Sequence, residues 1–361
     1  MTTVQDFRDR ARETLPATVF DYYDGAAGRE DTARDNEAAF RHWWFRRTVL
    51  QDVSHPRTAT RLLGRDVPAP LLLAPTALHR LAHPDGELAT GRAARDLGLP
   101  FVVSTLSSTD LAEVTALGGD VWFQLYVHRD RAVTTALVRH AEESGARALV
   151  LTVDTPAPGR RLRDQRRGFR PPAHIRPVNL AAAMARAGGD EVDGTATPLT
   201  DLFAAHFEPS LTWRDVERLA GSTTLPLVLK GIARAADARR AVDLGIQGIV
   251  VSNHGGRQLD GDRPTLHCLP EIAQAVGGET EIYLDGGVRS GGDILKALAL
   301  GARAVLVGRP YLWGLAVDGA AGVASVLRVL IGELTLDMQL TGLPDINDAT
   351  PDLLVTACTH H

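Results

Sequence analysis

The run Ser252-Asn-His-Gly-Gly-Arg257 places two complementary groups three residues apart. An imidazole such as that of His254 takes up a proton near neutral pH and suits general-base work. The Arg257 guanidinium is a planar fork that can grip a carboxylate with two parallel hydrogen bonds. Asp154 ends a different apolar run; paired with the imidazolium that forms, it would favour the charged histidine and strengthen the base. Arg161, in Thr155-Pro-Ala-Pro-Gly-Arg-Arg161, could supply a second guanidinium. A second constellation lies further along. Gly286, Gly287 and Gly308 let backbone N–H groups approach an anion closely, Arg289 and Arg309 add charge, and a helix start follows Ser290, which is the pattern of a phosphate site.

Only Lys230 and Lys296 are lysines among 39 basic residues. In a chain that uses arginine so freely, a lysine marks a place where a compact ammonium is wanted and a planar guanidinium does not fit. Lys296 reads as an ordinary residue of a helix surface. Lys230 does not, because it ends an apolar run. His79 and His83 are spaced like metal ligands, but no third ligand is evident, so the pair reads as structural and no metal is expected. Trp43-Trp44-Phe45 reads as core packing of the N-terminal segment. Two cysteines, Cys268 and Cys358, make neither a disulfide framework nor a zinc site.

The elements that must hold these groups show as eight short apolar runs: Pro70–Ala74, Pro100–Ser104, Val121–Tyr126, Ala148–Val153, Leu225–Leu229, Gly248–Ser252, Glu281–Leu284 and Ala304–Val307. They lack period-two alternation, as parallel strands buried on both faces do. Amphipathic helical stretches separate them, several followed by a glycine cap (Gly98, Gly145, Gly245, Gly301). Eight βα units predict a closed (β/α)8 TIM barrel rather than a doubly wound sheet, for which no glycine fingerprint follows the first strand. Residues 1–67 read as an N-terminal helical segment of the same domain. About 57 residues, 155–211, interrupt the rhythm after strand four and read as a lid at the catalytic end of the barrel. The whole chain, 1–361, reads as one domain.

Every strand ends in hydrogen-bonding groups at this one rim: Thr76 and Ala77, Ser104, Gln124 and Tyr126, Thr152 and Asp154, Lys230, Ser252, Asp285, then Gly308 and Arg309. Ser104, Gln124, Thr152 and Lys230 could hydrogen-bond a flat heterocycle. Together with the phosphate site they suit flavin mononucleotide (FMN), with Lys230 stabilising negative charge at the pyrimidine edge on reduction. A net charge of −5 and a pI near 6.2 disfavour nucleic acid. No apolar run approaches the ~20 residues of a membrane span. The polar, acidic start resembles neither a signal nor a transit peptide, and a cytoplasmic protein is expected.

The stretches Phe20-Asp-Tyr-Tyr23, Ala74-Pro-Thr-Ala77, His83-Pro-Asp-Gly-Glu87, Phe123-Gln-Leu-Tyr126, Leu151-Thr-Val-Asp-Thr-Pro156, Leu229-Lys-Gly231, Val251-Ser-Asn-His-Gly-Gly-Arg-Gln-Leu-Asp260, Asp285-Gly-Gly-Val-Arg289 and Gly308-Arg-Pro310 resemble the FMN-dependent α-hydroxy-acid oxidases and dehydrogenases, over about residues 5–345. The resemblance implies oxidation of an (S)-2-hydroxy acid to a 2-oxo acid, with His254 as base and Asp154 as its partner. It implies that Arg257, Arg161 and the Tyr22 hydroxyl hold the substrate carboxylate, and that Tyr126 holds the substrate hydroxyl. Thr76, the Ala77 backbone, Ser104, Gln124, Thr152, Lys230 and Ser252 would contact the flavin, Asp285 the ribityl chain, and Gly287, Arg289, Gly308 and Arg309 the phosphate. Both a hydride and a carbanion route would use the same residues. Glycolate oxidase carries a tryptophan where this chain has Leu106, so a larger pocket and a bulky or aryl substrate are expected. The run 159–169 is similar to that of the actinobacterial 4-hydroxymandelate oxidases. No fused haem domain is evident, which favours O2 as final acceptor, though a dehydrogenase using another acceptor stays open. The resemblance also implies a homo-oligomer, a tetramer by analogy. Alternatives are a flavin-dependent tailoring oxidase of a larger biosynthetic intermediate and a non-catalytic flavin-binding protein.

Overall fold

A computed structural model describes residues 1–188 and 198–356. The central part of the expected lid, residues 189–197, and the terminal Cys358 and His360-His361 lie outside the described residues. Eight parallel strands close a barrel: β1 (Leu71–Leu73), β2 (Phe101–Ser104), β3 (Val121–Leu125), β4 (Leu149–Thr152), β5 (Leu227–Ile232), β6 (Gly248–Val251), β7 (Glu281–Leu284) and β8 (Ala304–Val307), with β8 pairing back onto β1. This is the predicted TIM barrel. Alternate residues explain the unbroken apolar runs. Leu72, Val102, Trp122, Val150, Val228 and Tyr283 fill the barrel interior, while Leu71, Leu73, Phe101, Phe123 and Leu149 face the helices outside. Neither face meets water.

The helices before the barrel are α1 (Val4–Thr14), α2 (Ala17–Asp24) and α3 (Asp31–Ala39). All three fall in the segment expected to be helical; α3 starts at Glu30, which is left-handed and carries no side-chain cap. It also reads 1–67 as helical, whereas Thr60–Leu62 and Arg65–Val67 form a hairpin around Leu63-Gly64, both at positive φ (44° and 79°). Leu62 and Val67 join the interior cluster, so this hairpin plugs the end of the barrel opposite the polar rim.

Around the barrel run α4 (Gly86–Asp96), α5 (Leu111–Thr115) and α6 (Arg131–Glu143); then α7 (Leu162–Arg167), α8 (Val178–Arg186) and α9 (Leu199–His206) of the insertion after β4; then α10 (Trp213–Ala220), α11 (Ala235–Asp243), α12 (Thr265–Val276), α13 (Gly291–Ala299) and α14 (Arg309–Thr341). The last is long and apolar enough to cross a bilayer, although no single run of its sequence suggests it. It breaks at Asp318-Gly319 and packs on α1, α4 and α13.

Two expectations change. Trp43–Phe45 is a strand paired with Leu354–Thr356, and Trp44 is 57% exposed, so this aromatic triplet is only partly core. Alternation along a strand sends its middle residue outward. Lys296 does lie on a helix, but half-buried: its ammonium donates to the Phe40 carbonyl at 2.9 Å and sits 5.3 Å from the Phe45 ring.

Beneath the rim, Glu87 of α4 is fully buried. Its carboxylate accepts from the His79 and Ser108 amides (3.0 and 2.8 Å) and the Ser108 and Thr109 hydroxyls (2.7 and 2.8 Å). His79 bonds Thr76 and Thr90 through its two ring nitrogens. Burial acts to raise Glu87, but His79 and the Ser108 donors outweigh it and hold it below the usual carboxylate range. Burial holds His79 below its ordinary value. Both shifts have the same sign for stability. The unfolded chain binds protons more readily, so each group stabilises the fold above its unfolded value and loses that contribution as pH falls. Replacing Glu87 with Ala orphans four donors. Chemical denaturation at pH 7 should show a loss of about 3 kcal/mol, and the gap from wild type should narrow below about pH 4.5, the ordinary value of a glutamate.

Candidate active site

After β6 the chain makes a tight turn, His254–Gly256, in which His254, Gly255 and Gly256 all have positive φ (59°, 63° and 74°). A Cβ on Gly256 would lie 2.7 Å from the Ala33 amide, so only glycine lets α3 come this close. The Asn253 side chain accepts from the Gly256 amide at 3.2 Å and exchanges two amide hydrogen bonds with Asn36 at 2.9 Å each. The strained turn at His254 is therefore held from below. Its imidazole Nδ1 meets the Asp154 carboxylate at 3.0 Å. An ionised carboxylate only accepts, so Nδ1 carries the proton and Nε2 is left with a lone pair. The cleft that His254 lines is where that lone pair can act as a base.

Asp154 reaches this position because Gly231, at φ 110° in a bulge of β5, has no side chain; a Cβ there would lie 2.6 Å from that of Asp154. Burial acts to raise Asp154, but His254 and then Lys230 outweigh it and keep the carboxylate below its ordinary range. It stays an anion at working pH.

Tyr22, on α2, lies between two guanidinium groups. Arg161 and Arg257 stand 5.8 and 5.4 Å from its ring centroid. Arg257 spends one terminal nitrogen on the Tyr22 and Gly25 carbonyls (2.9 and 2.7 Å), which fixes the fork and leaves its other N–H groups for a ligand. Burial and the neighbouring Arg161 push Arg257 below its usual value. Two cations confined beside one phenol make a place that an anion relieves.

Sequence reasoning missed what holds Arg161. It precedes α7, whose Arg163 pairs with Asp24 at 3.1 Å and with Glu30, and whose Arg167 pairs with Asp21. Asp24 is also gripped by Arg8 through two bonds, at 2.7 and 2.9 Å. Phe169 stacks on Tyr22 at 4.6 Å and 15°. The insertion helix is thus pinned onto α2 by ion pairs and a ring stack. The partners are more than a hundred residues apart, so no local spacing could have shown them.

The other half of the cleft carries the flavin candidates. Ser104 and the Thr105 amide donate to the Gln124 side-chain oxygen (3.2 and 3.1 Å), and the Gln124 amide donates to Thr152 at 3.0 Å. Lys230 is buried and donates to Asp285 at 2.9 Å and Ser252 at 2.8 Å. Burial works against its charge, but Asp285 and Asp154 outweigh it and raise Lys230. The Thr76 hydroxyl engages His79 and Tyr311, so its hydrogen bonds point into the α4 network rather than the cleft. Its methyl comes close to where a Gly308 side chain would be. Ala77 lines the cleft, and its neighbour Leu78 accepts from Tyr23 at 2.6 Å.

At the phosphate end, Gly287 admits no side chain, since a Cβ would stand 2.2 Å from the Asn36 carbonyl. Arg309 donates to the Asp24, Gly25 and Gly255 carbonyls (3.1, 2.9 and 3.0 Å). Burial, Arg257 and Arg289 push it down to about 9. Arg289 pairs with Glu37 at 2.7 Å and sits 5.2 Å from the Trp313 ring. FMN fits this set. The amide, hydroxyl and ammonium groups suit a pyrimidine edge, the buried Asp285 Oδ1 has no partner and could accept from a ribityl hydroxyl, and the crowded guanidinium groups with bare glycine amides suit a phosphate. Of the predicted cofactor residues, Thr76, Ala77, Ser104, Lys230, Asp285, Gly287, Arg289, Gly308 and Arg309 line one open cleft of about 1190 Å³, together with His254, Arg161, Arg257, Tyr126 and Leu106, whereas Gln124 and Ser252 stand behind its wall and Thr152 lines the space beside it.

Residues 11–356 match the family of FMN-dependent dehydrogenases. This chain belongs to that family. Among relatives, it is 46% identical to the 4-hydroxymandelate oxidase of Amycolatopsis orientalis over 347 residues, 96% of each chain. It is 44% identical to 2-hydroxyacid oxidase 1 of Homo sapiens over 345 residues, 95% of this chain and 93% of the relative. It is 46% identical to the L-lactate oxidase of Nostoc over 358 residues, 97% and 96%. A mandelate oxidase solved with (S)-4-hydroxymandelic acid superposes with a TM-score of 0.92 at 45% identity, covering 99% of both chains. The family fixes FMN as the cofactor and makes the chain an oxidoreductase.

Two variants test the geometry. Asp154→Asn should retain its flavin absorption and lose roughly 100-fold or more in kcat, because the proton on the histidine is no longer held in place or compensated. Arg163→Ala should raise KM for the acid about tenfold with kcat changed far less, since it loosens the helix behind Arg161 and touches no reacting group. Steady-state kinetics on flavin-loaded protein separates the two signatures.

Proposed function

We propose that this protein oxidises an (S)-2-hydroxy acid with a bulky, aryl side chain to the 2-oxo acid and passes the electrons to O2. The observation that carries the reading is the convergence, in one cleft, of an Asp-supported histidine base, two guanidinium groups around Tyr22, and the Lys230 end of the flavin set. Bound FMN supplies the two-electron acceptor. The chain's own groups do the rest. Arg161 and Arg257 orient the carboxylate and neutralise it. Tyr126 donates to the substrate oxygen; its burial keeps the phenol protonated, well above its ordinary value. His254 takes the proton, and Asp154 balances the charge that appears on the imidazole.

The size of the substrate is argued from Leu106, which is buried and lines the cleft beside Tyr126. The names of the relatives support both an aryl acid and O2, since two of them are mandelate-type oxidases. The same chemistry on a larger biosynthetic intermediate is the reading that these names do not favour.

Mixing the protein with (S)-mandelate without air should bleach the visible absorption of the oxidised flavin within seconds, and readmitted air should restore it with release of H2O2. Colour that persists with mandelate, lactate and glycolate alike overturns the assignment. Leu106→Trp should cut kcat/KM for mandelate at least tenfold relative to glycolate, as a full indole displaces the aryl group.

A further inference from the structure

Beside the cleft lies a second cavity, open on one side and of about 900 Å³ with its mouth included, lined by Phe207, Leu211, Trp213, Val216 and Ile232. Tyr126, Thr155 and Phe203 line both spaces. Phe203 is therefore a partition. It is half-buried on α9, its ring edge-on to Tyr126 (5.1 Å, 88°) and tilted on Phe207 (4.6 Å, 46°). The end of α9 is tied to the segment after β3: Arg129 donates its amide to the His206 carbonyl at 2.8 Å and its side chain to the Ala204 and Phe207 carbonyls at 3.0 and 3.2 Å. The backbone under the partition is held, so a passage between the two spaces has to come from the Phe203 ring itself.

A substrate whose carboxylate is at Arg161 and Arg257 must turn its apolar end toward the uncharged lining, where Leu106, Leu199 and Phe203 lie. Resting on the 2-hydroxy-acid reading, we propose that the second cavity is a side-chain subsite, opened by rotation of Phe203, for 2-hydroxy acids whose apolar chain extends beyond an aryl group at C2. Its aromatic and aliphatic walls suit an arylalkyl or long alkyl tail. Asp237 at its margin disfavours a terminal carboxylate, whereas Glu208 beside it is answered by Arg131 at 3.6 Å. Each methylene buried there strengthens binding about fourfold.

The test is a chain-length series of (S)-mandelate, (S)-3-phenyllactate and (S)-2-hydroxy-4-phenylbutanoate, with wild type, Phe203→Ala and Leu211→Trp, all flavin-loaded and checked for melting temperature. Wild type should turn over the longest acid at least as efficiently as mandelate. Leu211→Trp, which narrows the second cavity and touches no wall of the first, should lower the ratio of kcat/KM for the longest acid to that for mandelate about tenfold. Phe203→Ala should raise the same ratio. Calorimetry gives a readout without turnover: Leu211→Trp should weaken 4-phenylbutanoate selectively against phenylacetate. If mandelate is oxidised and neither substitution moves the ratio or the binding difference, the subsite is overturned and the enzyme assignment stands. If none of the three acids is oxidised by wild type, the assignment itself falls, and the subsite with it.

Discussion

The Lys230 ammonium is buried at the end of a strand whose other residues are aliphatic, where an unanswered charge costs several kcal/mol. Asp285 answers it directly at 2.9 Å from the end of β7, and Asp154 answers it through space from the end of β4. Asp154 in turn pairs with His254 beyond β6. Four strand ends are thus coupled through one ammonium, two carboxylates and one imidazole. None of the four groups can be moved alone: removing Lys230 leaves two carboxylates facing each other, and removing Asp154 leaves an imidazole with nothing to fix its proton. This chain of contacts fixes which nitrogen of the histidine faces Asp154, and it places a cation where a flavin's pyrimidine edge would lie.

The barrel makes such an arrangement affordable because closure fixes strand register. Thr152 lies opposite Lys230, and Ser104 opposite Gln124, in the ladder itself. The single irregularity at Lys230 and Ile232, with Gly231 between, is where Asp154 needs room. The polar rim therefore sits on a rigid frame whose other end is stoppered by the Leu62 and Val67 hairpin. Opposite ends of one closed sheet carry opposite duties, chemistry above and packing below.

How much of this was legible in the chain follows from how far apart the interacting residues are. A strand buried on both faces writes itself locally as a short apolar run, and the polar residue that ends it marks the rim, so the barrel and most cleft residues could be read directly. The Thr60–Val67 hairpin could not: each strand has only three residues, and Arg61, Arg65 and Asp66 break the apolar pattern. The α7 lock was equally hidden. Arg163 is one of many arginines, and nothing near it in sequence distinguishes it from a solvated one; its meaning comes from Asp24, Glu30 and Asp21 on distant elements. Thr76 lines the cleft, as its place at a strand end suggests, and what the chain could not show is that its hydroxyl is engaged by His79 and Tyr311.

The two halves of the cleft are built on different physical principles. The charged half of the cleft is overdetermined: the guanidinium of Arg257 is tied to backbone carbonyls, that of Arg309 likewise, and Tyr22 is stacked from behind by Phe169. Change there disturbs several partners at once. The apolar half is built differently. Leu106 follows β2, while Leu199 and Phe203 come from α9, which is held by apolar burial, ring contacts and hydrogen bonds from Arg129 rather than by ion pairs with the barrel. A side chain there can be exchanged without unpairing a charge or orphaning a hydrogen bond. Recognition of the carboxylate is thus bound to the barrel's electrostatics, whereas the shape that admits or refuses the rest of the substrate rests on residues the fold leaves free to vary.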